Sequence, residues 1–485
     1  MRKLHLTVAV LLTVCLASAQ DSVQRVITES LKPSPLETNL QTLTDQIGGR
    51  VPGTPAMQNA VDWGVAAFKA AGADSVHTER FAIPAGWAEG ATEMSVVAPE
   101  RFRVRATSFG WSPALSARRH VPVVDVGAGN ADDFKTPGVA GSIVLVHSQE
   151  MHKWEDLFSE YLRGPAIGDR AVAAKALAIA FQSTRPNDLL YRHTNSVAGE
   201  IDRIPILLVT REDAARMVRL AASRQKLYAD VSIPNKITGP ITAMNVVAEI
   251  KGNEKPDEYV ILGAHLDSWE LGTGALDNGC NAALVIDALR AIKASGVRPR
   301  RSLRFILFSG EEQGMVGSRE YTNTHHDELE KIAGVVVVDS GTGRIRGFST
   351  GGRKEIVPAA ENLIAALKET DRLVISSDPE WGTDNFDFML QGVPTFVADQ
   401  EESNYLINYH AESDTFDKVD IPQLKKHVAE AAALSFELAD LPEKIGPRIR
   451  RAEIEQMMRE THFDDQLKAF GVWKEWESGK RGRKD

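Results

Sequence analysis

A chain of 485 residues with 43% hydrophobic and 25% charged content has apolar material for a large core and length for two or three domains. Its formal charge of −10, about −12 without the basic Arg2 and Lys3, argues against a nucleic-acid partner. Only two cysteines occur, Cys15 and Cys280, which excludes a disulfide framework and leaves stability to packing and bound ions.

Arg2 and Lys3 precede an apolar run, Leu4 to Leu16, and then Ala17-Ser18-Ala19. That order matches a cleavable secretory signal over 1–19. The run is shorter than the roughly 20 residues that span a bilayer, and no second long apolar stretch follows, so the expected product is secreted or periplasmic with no membrane span after signal removal. Helical patterns come next, with Ala56–Ala71 closed by Gly72, and then a strand, Ser75–Ile83. Between 96 and 238 short apolar strands such as Val123–Val126 and Ser142–His147 lie among Gly, Pro and Asp turns, with one alanine-rich helix at Asp169–Ala178 and a further helix from Arg211. This reads as a separate, small β-rich domain.

From Asn245 strands and helices alternate: Tyr259–Ala264, Ala282–Ala294, Leu303–Phe308, Gln313–Tyr321 and Gly334–Val338. A helix at Ile356–Lys368, a helix at Phe386–Leu390, a strand at Thr395–Ala398 and a helix at Ile421–Ala439 complete the pattern. Such alternation predicts an α/β domain with a mainly parallel sheet between helices, discontinuous over 20–95 and 239–440 and interrupted by the insert at 96–238. Residues 441–485 add a helical stretch, Ala452–Phe470, and a basic end, Lys480–Lys484, expected to be solvated and frayed.

Chemistry concentrates in four segments. His265-Leu266-Asp267, Glu311-Glu312 and Asp339 each follow an apolar strand, and Tyr409-His410 sits in a loop. In doubly wound sheets ligands gather beyond the carboxyl ends of strands, so the three strand-tip segments are expected on one rim. Asp267 can accept the imidazole N–H of His265 and fix its tautomer. Asp277, in the loop Gly274–Gly279 before a helix, can be an N-cap or, with His265 nearby in the chain, a carboxylate bridging two cations. Glu311 and Glu312, read as opening a helix, point about 100 degrees apart, which lets Glu312 bind a metal while Glu311 serves as general base. Asp339, at the tip of a buried strand, needs a partner such as a cation or else solvent. Asp414 can orient His410, and Tyr409 can donate to a developing oxyanion or simply pack under the loop. Two histidines and three carboxylates without thiolate suit a catalytic zinc pair, two Zn2+ per chain. Asp384, Asn385 and Tyr405 are candidate substrate contacts, although ordinary loop polarity explains them equally well.

The motifs His265-Leu266-Asp267-Ser268, Asp277-Asn278-Gly279, Glu311-Glu312-Gln313-Gly314, Val338-Asp339-Ser340 and Tyr409-His410 resemble those of the co-catalytic di-zinc exopeptidases. Within that family Trp269, Arg298–Leu303, Gly382-Thr383-Asp384 and Gly392-Val393-Pro394 favour the carboxypeptidase Q (plasma glutamate carboxypeptidase) branch. The resemblance covers roughly 35–440. It implies a phosphorylase/hydrolase-like α/β domain, a protease-associated domain as the insert, His265 and Asp339 on one zinc, Glu312 and His410 on the other, Asp277 between them and Glu311 as base. Cys280 and Asn281 stand where the family usually has small residues, so pocket specificity does not carry over. The implied partner is a dipeptide or short peptide, with a homodimer left open. The competing readings are a single-zinc enzyme like glutaminyl cyclases and a non-catalytic receptor or binding module, which metal stoichiometry and dipeptide hydrolysis would separate.

Overall fold

The computed structural model describes residues 21–484 apart from 196, 224 and 368–371. The signal segment expected at 1–19 lies outside the described residues.

Eight strands form a central sheet in the order Ser75–Ile83, Ile241–Ile250, Arg301–Phe308, Lys255–His265, Ile332–Val337, Thr395–Gln400, Ile345–Ser349 and Val374–Ser376. Four of its seven strand pairings are parallel, as expected of a mainly parallel sheet, and three are antiparallel. Lys255–His265 runs parallel to both Arg301–Phe308 and Ile332–Val337, and Ile332–Val337 runs parallel to Thr395–Gln400. Toward the edges, Ser75–Ile83, Ile241–Ile250 and Ile345–Ser349 enter antiparallel pairings. The outermost strand beyond Ile345–Ser349, Val374–Ser376, is again parallel to it, with the helix Val357–Ile364 between them in the chain.

The central strands carry near-continuous apolar runs, such as Val260–Leu262 and Val335–Val337, because both faces are covered. Leu262, Leu303, Leu307 and Val336 face one core with Leu284 and Leu434 from helices Cys280–Ala294 and Ile421–Asp440. Ile261, Ile306, Val335 and Val337 face another with Tyr321 and Phe388. Because Gly263 pairs with Val337 and His265 with Phe308, the parallel strands end together. The segments that leave them, beginning at Leu266, Ser309 and Val338, therefore emerge on one rim.

A second eight-stranded sheet is built from residues 93–233, with Trp154–Ala173 and Arg211–Ala222 as its helices. It has its own apolar clusters, one around Val96, Val123, Leu145 and Leu207 and another around Val144, Ile179 and Leu208. The helix from Arg211 forms as expected, and the other differs in extent. The helix expected at Asp169–Ala178 starts at Trp154 and stops at Ala173, and Ala178 opens the strand Ala178–Gln182. Gly164 and Pro165 inside the helix hide its first half from a pattern reading, and Lys175 turns the chain with φ 59°.

Two further differences lie near the rim. Glu311 and Glu312 do not open a helix. They occupy a turn that passes through Gly314 and Met315, both at positive φ, before the helix Val316–Thr324 begins. The basic C-terminus is not frayed either. Arg481 is buried and its guanidinium meets Asp387 through Nε at 2.8 Å and Nη2 at 2.6 Å, while Arg483 N–H donates to the Leu390 carbonyl at 2.9 Å. A buried acid at Asp387 gives the tail a charge to dock on, which its composition alone does not disclose.

Candidate metal centre

His265 is the last residue of its strand, and its ring is locked from behind. Nδ1 donates to the main-chain carbonyl of Asp267 at 2.9 Å, which leaves Nε2 as the free ligand atom. Nε2 lies 3.0 Å from Asp339 Oδ1 and 3.2 Å from Asp277 Oδ1. The Asp267 carboxylate, expected to take the imidazole N–H, stands 3.8 Å from it. Instead its two oxygens accept the Glu311 and Glu312 backbone N–H groups, each at 3.3 Å. Asp267 thus shapes the turn that presents both acids, because the carbonyl of the same residue has already taken the histidine proton.

His410 repeats the arrangement on the other side. Nδ1 donates to the Arg192 main-chain carbonyl at 3.2 Å, while Nε2 lies 2.8 Å from Glu312 Oε2 and 3.3 Å from Asp277 Oδ2. The two oxygens of Asp277 therefore face different histidines. Two overlapping groups result, His265 with Asp277 and Asp339, and Asp277 with Glu312 and His410, each with its ligand atoms within 4.8 Å of one another. His410 has φ 57°, a left-handed conformation that costs a non-glycine residue about 1–3 kcal/mol, so its loop must be held firmly.

Two residues, one given another role by pattern reading and one missed by it, hold the Asp277 loop. Asp414, expected to orient His410, accepts the backbone N–H groups of Ala275 at 3.1 Å, Leu276 at 2.7 Å and Asp277 at 3.1 Å. Fully buried Arg50 donates to the carbonyls of Leu266 at 2.7 Å, Thr273 at 2.7 Å and Gly274 at 2.8 Å. Nothing in Gly48-Gly49-Arg50 signals this role, since the partners are backbone atoms far along the chain.

The candidate substrate contacts divide. Tyr405 is buried and donates to the Asp339 carbonyl at 3.3 Å, bracing a ligand candidate. Asn385 Nδ2 donates to the Glu380 carbonyl at 3.3 Å. Burial pushes the Asp384 carboxyl up to about 8. The Tyr409 ring stacks on His410 at 3.7 Å, and its hydroxyl shares a 3.0 Å hydrogen bond with Tyr161 of the helix Trp154–Ala173.

Charge balance points to cations. Burial drives the Glu311 carboxyl well above its ordinary range, Glu312 to about 7 and Asp339 upward. Burial also raises Asp277, but His265 and His410 outweigh it and hold that carboxyl below the usual range. Against burial, Glu312 and Asp277 lift the His410 imidazole to about 9. Burial lowers Arg50 to about 10 while Asp414, Asp267 and Asp277 oppose the shift. One arginine under the loop cannot neutralise so many acids, and Glu312 Oε1 is buried without a hydrogen-bond partner. Mixed imidazole and carboxylate donors with an orphaned oxygen fit hard-to-borderline divalent ions of the zinc type.

The model of Peptidase family M28 matches residues 245–435, the segment that carries all five ligand candidates. Over residues 245–435 the chain is thus similar to peptidase family M28. The M28 segment is embedded in a longer similarity. Carboxypeptidase Q of Mus musculus is 27% identical over 408 residues, spanning 84% of this chain and 86% of that protein. Aminopeptidase YwaD of Bacillus subtilis (strain 168) is 25% identical over 294 residues, 60% of this chain and 58% of its own. Among solved structures, the M28 peptidase precursor of Shewanella amazonensis SB2B superposes with a TM-score of 0.80 at 24% identity, covering 90% of this chain and 99% of the other. BSAP, a zinc aminopeptidase from Bacillus subtilis, gives 0.66 at 19% identity, covering 86% and 97%. These two structures extend the likeness of fold beyond the M28 segment to the second sheet.

Proposed function

We propose that this chain is an exported metallopeptidase that uses two zinc ions to hydrolyse dipeptides or the terminal residues of short peptides. The chain is a zinc-dependent exopeptidase, and the observation that carries the two-ion reading is Asp277, with one oxygen toward His265 and the other toward His410. His265 and Asp339 would hold one ion, His410 and Glu312 the other, and Asp277 would bridge them. Zinc bound there supplies a Lewis acid for the scissile carbonyl and makes a water acidic enough to attack near neutral pH.

The remaining work falls to side chains. Glu311 takes the proton of the attacking water and carries it to the leaving amine, with its carboxyl 3.9 Å from His265 Nε2. Asp267 holds Glu311 in place through its backbone N–H. The Tyr409 hydroxyl, paired with Tyr161, donates to the oxyanion, and Asp384, Asn385 and Tyr405 shape the substrate end of the site. The peptidase domain comprises 20–95 and 239–440, residues 96–238 are a protease-associated domain that walls the cleft, and 441–485 are a helical extension. That wall favours small substrates over folded proteins.

The deciding experiment is a panel of dipeptides and singly end-blocked dipeptides assayed after zinc reconstitution. Release of free amino acids that stops on chelation supports the reading, and the block that abolishes turnover identifies the recognised terminus. No hydrolysis of any member by protein carrying two ions would overturn it.

A further inference from the structure

Arg192 lies between the strands Ala178–Gln182 and Ile206–Val209 of the second sheet and is wholly buried. Its main chain is paired reciprocally with the last ligand candidate. Arg192 N–H donates to the His410 carbonyl at 2.8 Å, and His410 Nδ1 donates to the Arg192 carbonyl at 3.2 Å. The seam continues through a bridge between Tyr191 and Ala411 and through Glu412 N–H to the Leu190 carbonyl at 3.0 Å.

The guanidinium is anchored separately. Nη2 donates to Glu89 Oε2 and to Glu270 Oε1, both at 2.6 Å. Nη1 donates to Thr107 Oγ1 at 2.8 Å and to the Ser108 carbonyl. Glu89 also takes the Ser108 N–H at 2.9 Å and the Thr107 hydroxyl at 2.7 Å, so one side of the clamp belongs to the second sheet and its approach. Glu270 belongs to the other side, next to Trp269, whose ring meets the His410 ring edge-on at 5.9 Å. A planar fork that joins two carboxylates and a carbonyl at once is a geometry that a lysine or an apolar side chain does not reproduce.

We propose that Arg192 is a positioning residue of the metal centre: its carbonyl aims His410, and its guanidinium, clamped by Glu89 and Glu270, keeps that carbonyl in place. The inserted sheet then sets the affinity of the His410 half of the centre while leaving the His265 half to the M28 segment. This rests on the two-ion reading above. The logic is that of an outer-shell acceptor, which fixes the tautomer and aim of a ligating imidazole and whose loss weakens metal binding by about 10- to 100-fold.

Metal-stripped wild-type protein and Arg192→Met are titrated with Co(II), followed by visible absorption and calorimetry. The wild type takes up two ions. The variant binds one with unchanged affinity and the other about 10- to 100-fold more weakly, with a changed absorption band for the second. Wild-type affinity at both positions in the variant overturns the proposal, and so does equal weakening of both, which marks general loosening. Should Arg192→Met fail to fold, Glu270→Gln is titrated in the same way: selective weakening of one ion supports the proposal, and unchanged or uniform affinities overturn it. A wild type that binds fewer than two ions refutes the two-ion reading itself, before any variant is compared.

Discussion

Glu311 and Glu312 are adjacent yet differently engaged, which makes their substitutions diagnostic. Glu312 lies 2.8 Å from His410 Nε2, whereas the nearest imidazole nitrogen to Glu311 is 3.9 Å away. Glu311→Gln is expected to lower kcat by about 10²- to 10⁴-fold, the usual worth of a general base, with zinc content unchanged by elemental analysis. Glu312→Gln is expected to lose zinc as well as activity, and equal zinc in the two variants would remove the distinction. A different cost attends Arg50→Met. It strips donors from buried carbonyls of Leu266, Thr273 and Gly274, each worth about 1–3 kcal/mol when left unmet, so urea unfolding should show a loss of several kcal/mol. At this scale the sequence discloses residues whose chemistry is unusual for their place, such as an acid at a buried strand tip. It does not disclose residues whose partners are backbone groups. Asp414, Arg50 and the Arg192 carbonyl all act on main-chain atoms or through them, and backbone contacts leave no compositional trace.

Elements are joined by a few buried or half-buried charge pairs, and these set two further expectations. Arg481 fastens the C-terminal tail to Asp387 in the helix Asn385–Leu390. Arg481→Met leaves Asp387 buried without its cation, a change that typically costs about 3–5 kcal/mol and that denaturant titration would detect. At the outer edge of the central sheet, Glu79 of the strand Ser75–Ile83 accepts from His325, just after the helix Val316–Thr324, at 3.0 Å. Burial raises the Glu79 carboxyl, but His325 and His77 overcome it and hold it at about 2, below its ordinary 4.5. Glu79 in turn lifts His325 above 6.5. The glutamate contribution is complete above about pH 4.5 and lost as pH falls toward 2, while the histidine contribution is complete below about pH 6.5 and fades as pH rises past it. Glu79→Gln should therefore destabilise most between these limits, and a stability difference that is flat with pH would contradict the pair. Element boundaries follow the same division between legible and hidden. Ser75–Ile83 and the helix Ile421–Asp440 follow regular apolar patterns and are readable from sequence. The helix Trp154–Ala173 is masked by its internal Gly164 and Pro165, and the Glu311–Gly314 turn is shaped by Asp267, just past the end of another strand. The antiparallel pairings of the sheet are equally invisible to a pattern of alternating elements, because pairing direction depends on how connections cross.

For the molecule as a whole, ion binding and fold stability are one equilibrium, since the ligand candidates assemble only in the folded chain. Zinc at one hundred times its dissociation constant should add about 2.7 kcal/mol per site, so thermal melts with and without chelator should separate, and coincident melts would argue against tight binding. The ligand candidates are drawn from strand ends, a turn and a loop scattered between His265 and His410, with Arg192 of the second sheet reaching the last of them. No short stretch of unfolded polypeptide presents more than a fragment of this set. Metal capture on the His410 side is accordingly expected late, after the second sheet has docked, and a zinc-release dye would report loss of that docking instead of fraying at a chain end.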